Sequence, residues 1–276
     1  MLINSYAKIN LYLDVLNKRN DGYHEIETLF STIDLHDSLK FVLTKKPQIK
    51  ILSNIPELAS VNNLVYKIAQ RILVDFEVNV GIKIHLIKRI PIAAGLGGGS
   101  SNAAMTFLAL NALLNLNMEE SYPRSVAAEY GSDINFFFQG GLAQGKSRGE
   151  IITPLPDAQE LDLLLVNPGI AVSSREAYQL VDQEKSKKVT RKMWYNCLEN
   201  GVKLMYPVVD DILCKMKEFG ATEAMMSGSG PTCIGLFKNR NRQRLAAAYF
   251  GHRKMWIKHV KTLNRSQYQL CFQNLS

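Results

Sequence analysis

An α+β fold is predicted for this chain of 276 residues by three observations. Apolar and polar residues alternate in several short segments, as half-buried strands require, while other segments carry apolar residues at helical spacing. The two kinds follow one another without a regular βαβ rhythm. Residues 3–15, 37–44 and 48–52 read as strands and 63–76 as a helix. A strand over 81–90 sets Ile82, Ile84 and Leu86 against Lys83 and His85, and a helix over 102–116 carries Ala103, Phe107, Leu110 and Leu114 on one stripe, with Ser100 or Ser101 placed to cap it. A short helix ends over 125–131, just before Asp133, and 141–152 reads as glycine-rich strand and turn. The proline-containing stretch 153–160 is the predicted boundary, dividing residues 1–157 from 158–276. Beyond it come an apolar strand at 161–166, mainly helical segments at 173–181 and 194–219, and a strand, glycine turn and strand over 223–237.

A hydrophobic content of 46% is ample for a buried core and excludes a disordered chain. Cys197, Cys214, Cys233 and Cys271 are widely spaced, and the five histidines show no metal-ligand spacing, so neither a zinc site nor a disulfide framework is expected. No apolar run approaches membrane-spanning length and the first residues lack a sustained apolar segment, so neither membrane insertion nor secretion is expected, and a cytoplasmic location is. The net charge of +8 gathers at 185–192, 238–244 and 253–261. Apart from Trp256, no aromatics interleave with these charges as a nucleic-acid surface would have them. The charge reads instead as a field for anionic small molecules, with no nucleic-acid partner.

Between the strand and the helix of the middle segment stands PIAAGLGGGSS, residues 91–101. Glycines let backbone N–H groups converge on one point, and a helix start adds unpaired donors and partial positive charge, which suits a phosphate. No Lys-Ser/Thr follows the last glycine, and Ser100 stands where a dinucleotide loop would need its third glycine, so neither common nucleotide fingerprint is present. A tight turn needing only glycine geometry would read the same way.

Three segments stand in order along the chain: Ala7-Lys8-Ile9-Asn10-Leu11, the loop from Pro91 to Ala104, and Met226-Ser227-Gly228-Ser229-Gly230-Pro231-Thr232. Together they resemble the motifs of the GHMP kinases, the family named for galactokinase, homoserine kinase, mevalonate kinase and phosphomevalonate kinase. Asp21-Gly22-Tyr23-His24-Glu25 with Glu27-Thr28-Leu29-Phe30, Asn63-Leu64-Val65, and Gly131-Ser132-Asp133-Ile134-Asn135-Phe136-Phe137 narrow the resemblance to members whose acceptor is a cytidine diphosphate alcohol. It covers nearly the whole chain, weakening over 183–192 and after 238.

The resemblance implies a ribosomal S5-like N-terminal domain, a ferredoxin-like C-terminal domain and an active site between them. It also implies ATP as phosphoryl donor, with Mg²⁺ carried chiefly by its phosphates and no dedicated protein metal site. Pro91, Gly95, Gly97, Gly98, Gly99, Ser100 and Ser101 then seat the phosphates, and Asn63, Leu64 and Lys88 line the adenine pocket. Asp133 is the implied base, and Lys8, on one strand face with Asn10, points at it and at the acceptor hydroxyl. Tyr23 would stack on the pyrimidine and His24 read its edge, with Asn10 and Ser174 contacting substrate and Tyr178 closing the aromatic sandwich. A monomer or homodimer is expected. Two alternatives are a GHMP kinase for another alcohol, which the Tyr23-His24 pair disfavours, and a non-catalytic binding protein, which Lys8 with Asp133 disfavours. The chain departs from the family at Asn135, where proline is usual, and at Lys146-Ser147-Arg148-Gly149-Glu150, a variant of a Gly-Glu turn.

Overall fold

A computed structural model describes residues 1–181 and 193–270, so the basic run at 185–192 and Cys271 lie outside the described residues. The chain opens with two long strands, β1 (Leu2–Lys18) and β2 (His24–Thr44), then β3 (Ile49–Ser53), α1 (Leu64–Asp75) and β4 (Gly81–Ile87). There follow α2 (Gly98–Leu114), α3 (Ser121–Tyr130), a 3-10 turn at Ile134–Phe138, and the hairpin β5 (Leu142–Ser147) and β6 (Ile151–Pro154). After β7 (Asp162–Asn167) come α4 (Ser174–Val181), β8 (Tyr195–Asn196), α5 (Glu199–Met205) and α6 (Pro207–Glu218). The last elements are β9 (Glu223–Met226), β10 (Cys233–Leu236), α7 (Arg240–His252), β11 (Trp256–Lys261) and α8 (Arg265–Gln269).

Among the described residues these build two sheets. The larger runs β3-β4-β2-β1-β8, with β5 also on β2 and β6 on β5. The smaller is antiparallel throughout in the order β11-β7-β10-β9. Taken in chain order those four strands stand 4-1-3-2, the ferredoxin-like arrangement, and the α+β expectation is met.

β2 is far longer than the strand expected at 37–44. Its first half is buried on both faces, so the alternation that betrays a half-buried strand is missing there. The expected helix at 102–116 begins four residues earlier: Gly97 enters it in the left-handed region (φ 67°) and no serine side chain caps it. Residues 194–219 are not one helical run, because β8 pairs parallel with β1 and Pro207 starts a separate helix, where its missing N–H costs nothing. α7, β11 and α8 follow position 238, where no element was expected.

One core fills the space between the larger sheet and α1 and α2, with Phe30, Phe41, Phe107 and Phe136 essentially inaccessible. A second lies under α6 and α7. A third joins the two sheets, packing Ile9, Leu11 and Ile33 against Leu163, Leu165 and Ile234. α8 returns to the first core, where the Tyr268 hydroxyl donates to the Phe137 carbonyl. α1 begins where the Asn63 side chain accepts from the Val65 N–H (2.9 Å), a helix cap. Asn63→Ala is accordingly expected to cost about 1 kcal/mol of stability in a denaturant titration; an unchanged midpoint would contradict the cap's importance.

Candidate active site

Two glycine turns close over the middle of β1. A side chain at Gly95 (φ 73°) would put its Cβ 2.1 Å from the Ser227 carbonyl oxygen, and the Ser227 hydroxyl donates to the Gly95 carbonyl at 3.1 Å. Only glycine allows that approach. Gly97, also left-handed, sits directly over the Lys8 stem and the Phe137 ring, both 2.9 Å from where its Cβ would stand. The turn carrying Gly228 is held from behind by Asn196, whose amide donates to the Met226 and Gly228 carbonyls (2.8 and 2.7 Å).

Beneath the turns, Lys8 is nearly inaccessible, yet its ammonium donates to Asn10 Oδ1 (2.7 Å) and lies 3.1 Å from Asp133 Oδ2. Asn10 donates in turn to the Thr28 hydroxyl (2.8 Å), which donates to the Tyr12 carbonyl (2.7 Å). This chain of bonds fixes both Lys8 and Asn10 before any ligand arrives. Asp133, on the loop between α3 and the 3-10 turn, keeps about a third of its side chain exposed. A buried cation thus faces an accessible carboxylate.

At the start of α2, the N–H groups of Gly98, Gly99 and Ser100 occupy the helix's first turn, where none has an intrahelical acceptor. Ser100 lines the cleft. Ser101, expected beside it, is turned inward: it is fully buried, with its hydroxyl 2.7 Å from that of Ser5, whose O–H donates to Asn102 Oδ1 at 2.6 Å. The helix sweeps residue 101 around to the core side of the axis, so only Ser100 remains with the glycines.

Lys88, expected to line the adenine pocket, does line the cleft, but its charge is engaged within the protein. Its ammonium is bound to Asp37 Oδ2 and the Ile90 carbonyl, both at 2.7 Å, and burial holds it below its ordinary range against the opposing pull of Asp37. It lies 2.8 Å from where a Gly98 Cβ would be, so it props the loop from behind. Asp37 completes the prop by accepting from the N–H groups of Arg89 and Ile90 (2.7 and 2.9 Å). Sequence reasoning missed Asp37, since an aspartate on an alternating strand reads as a solvent-facing residue.

A cleft of about 1230 Å³ unites these groups, with Asn63, Leu64 and Pro91 in its lining, together with Tyr23, His24, Arg148, Ser174 and Tyr178. That is room for two ligands side by side. The Asn63 amide is engaged by the cap and by the Leu58 carbonyl (2.8 Å). The aromatic sandwich is arranged differently from expectation: Tyr178 stacks on His24 (centroids 5.2 Å, planes 22° apart) rather than standing opposite Tyr23. Burial, with Asp133 adding to it, pushes the Tyr178 phenol above its ordinary range. Tyr23 is 55% exposed, with the Arg148 guanidinium over its ring. Ser174 is hydrogen-bonded to Ser229 (2.8 Å), joining the start of α4 to the second glycine turn.

Comparison with known proteins agrees with this architecture. The models of the GHMP kinases N-terminal domain and GHMP kinases C-terminal match residues 63–141 and 177–255. The chain belongs to the GHMP kinases, and it is a small-molecule kinase. Its relatives include proteins named 4-diphosphocytidyl-2-C-methyl-D-erythritol kinase from Thermodesulfovibrio yellowstonii (36% identical, covering 94% of this chain and 96% of the relative) and Geobacillus kaustophilus (38%, covering 88% and 90%). The crystal structure of a 4-(cytidine 5'-diphospho)-2C-methyl-D-erythritol kinase superposes with a TM-score of 0.81 at 28% identity, over 96% of this chain and 100% of that one. A homoserine kinase from Cytophaga hutchinsonii shares the fold at a TM-score of 0.70 and 19% identity, over 97% and 96%.

Proposed function

We propose that the protein transfers the γ-phosphoryl group of ATP to the 2-hydroxyl of 4-diphosphocytidyl-2-C-methyl-D-erythritol, a step in the non-mevalonate route to isoprenoid precursors. The observation that carries this reading is the Lys8–Asp133 contact beneath two glycine turns, in a cleft that also holds Tyr23 and His24. Asp133 takes the proton of the acceptor hydroxyl as its oxygen bonds to the γ-phosphorus and the bridge to the β-phosphate breaks, releasing ADP. Lys8 lies beside the reacting oxygens and offsets the charge they gather, while the free N–H groups of Gly98, Gly99 and Ser100 hold the phosphates.

Among the described residues no three His, Cys, Asp or Glu side chains group to hold a metal. Asp133 beside a hydroxyl-bearing loop fits an ion carried on the nucleotide's own phosphates. Mg²⁺ bound in that way would neutralise phosphate charge, and Ser100, which lines the cleft, would be the loop serine to help hold it. The division at 157/158 places the phosphate seat and Asp133 in the first part, and Ser174 and Tyr178 in the second. The protein acts as a monomer or a homodimer. No helix among the described residues is long and apolar enough to cross a membrane, and the widely spaced cysteines suit a reducing cytoplasm.

On this reading Tyr23 stacks on the cytosine, while Tyr178 lies against His24 and orients its ring toward the base edge. The test is ADP release by the purified protein with ATP, Mg²⁺ and a panel of alcohols. Turnover is expected with the cytidine compound, but little with methylerythritol 4-phosphate, homoserine or mevalonate. Tyr23→Ala should raise KM for the cytidine compound by the equivalent of about 1–3 kcal/mol and leave KM for ATP nearly unchanged. Equal turnover of the cytidine compound and methylerythritol 4-phosphate would overturn the assignment.

A further inference from the structure

We infer that Arg148 is a positioning residue for the acceptor: it backs one face of the Tyr23 ring, so that the cytosine meets a ring already held in place on the other. The inference rests on the substrate reading above, and its source is the variant turn at 146–150, which the mechanism does not use. The guanidinium carbon of Arg148 stands 4.8 Å from the Tyr23 ring centroid. Three contacts hold it there. Nη2 donates to the Ala128 carbonyl (3.1 Å), Nε lies 3.5 Å from Glu150 Oε1, and the Arg148 N–H donates to Glu150 Oε2 (2.8 Å).

The turn is also clasped to the turn that carries Tyr23. Arg19 donates to the Ser147 hydroxyl (2.8 Å) and to Glu25 (2.9 Å), while its own N–H donates to the Tyr23 carbonyl (2.8 Å). Ser147 is paired with Ile26 at the end of the β2–β5 ladder, which is why residues more than 120 positions apart meet here. The turn's other side reaches the base: a Gly149 Cβ would stand 3.7 Å from Asp133 Oδ1. One short turn therefore supports the aromatic platform and borders the catalytic carboxylate. An aromatic ring that is half exposed and otherwise free to rotate would lose side-chain entropy on stacking with the base, and a cation fixed over its rear face removes much of that loss beforehand.

The experiment is a double-mutant cycle on the full chain, with KM and kcat measured for both substrates. Arg148→Ala should raise KM for the cytidine compound about threefold to tenfold, the scale of a part-exposed cation–π contact, with kcat and KM for ATP unchanged. Arg148→Lys, which keeps a cation over the ring, should recover most of that loss. In a Tyr23→Ala background, Arg148→Ala should have no further effect, because the ring it acts through is gone. An equal effect in both backgrounds would mean that Arg148 grips the substrate's diphosphate directly, and would overturn the inference. So would a fall in kcat and melting temperature with KM unmoved, the mark of a purely structural role. Normal parent turnover with an indifferent Arg148→Ala overturns this inference alone; a parent that ignores the cytidine compound overturns the substrate reading and this inference with it.

Discussion

Asp133→Asn is expected to lower kcat at least ~10²-fold, the scale of a lost general base, while leaving the fold and the affinity for ATP intact. Asparagine matches aspartate in shape and can still accept from the Lys8 ammonium, now 3.1 Å away, so the loop between α3 and the 3-10 turn keeps its anchor. What is lost is the capacity to take a proton from the acceptor hydroxyl. The first-turn donors proposed to hold the nucleotide lie on α2, a separate element, which is why ATP binding should not follow kcat down. Steady-state kinetics with a parallel ATP titration check both halves. Turnover near that of the parent would remove Asp133 from the mechanism.

Lys8→Met should be of comparable severity, about 10²–10³-fold in kcat, since a buried, preformed donor beside the developing charge is removed. Methionine fills the buried channel under Gly97 with a similar stem, so the substitution tests charge rather than packing. It leaves Asn10 Oδ1 without the donor now 2.7 Å from it, and a moderate fall in melting temperature is expected alongside. If Lys8 and Asp133 act on the same proton transfer, as proposed, the double variant should be little worse than the poorer single one. Losses that multiply would show that the two residues act at separate steps, contrary to the contact between them.

The chemistry was legible in the chain wherever it depends on residue type at short range. The run from Gly95 to Ser100 reads as a candidate phosphate seat because Gly95 and Gly97 take left-handed conformations that glycine adopts without strain, and Lys8 stands out as a charge inside an apolar strand. Short-range reading failed where burial cancels the pattern. The first half of β2 shows no alternation because both faces are covered, and Pro207 divides a stretch that composition alone makes helical.

The sequence by itself determined the α+β class and the family, and it singled out the glycine loop, Lys8 and Asp133 as the candidates that the structure gathers in one cleft. Only the tertiary structure decided what each polar side chain is engaged with. Ser100 and Ser101 are indistinguishable as letters, yet one lines the cleft and the other is bonded in the core. Lys88 reads as a residue lining the adenine pocket, and only the structure shows that its charge is held by Asp37 from 51 positions away. Tyr178 reads as the second aromatic of a sandwich, and the structure stacks it on His24, while Arg148 takes up a position behind the Tyr23 ring. Local sequence carries backbone preference and periodicity, whereas the partner of a buried charge or ring is chosen by which strands pair and in what register, a long-range outcome that no window of neighbouring residues encodes.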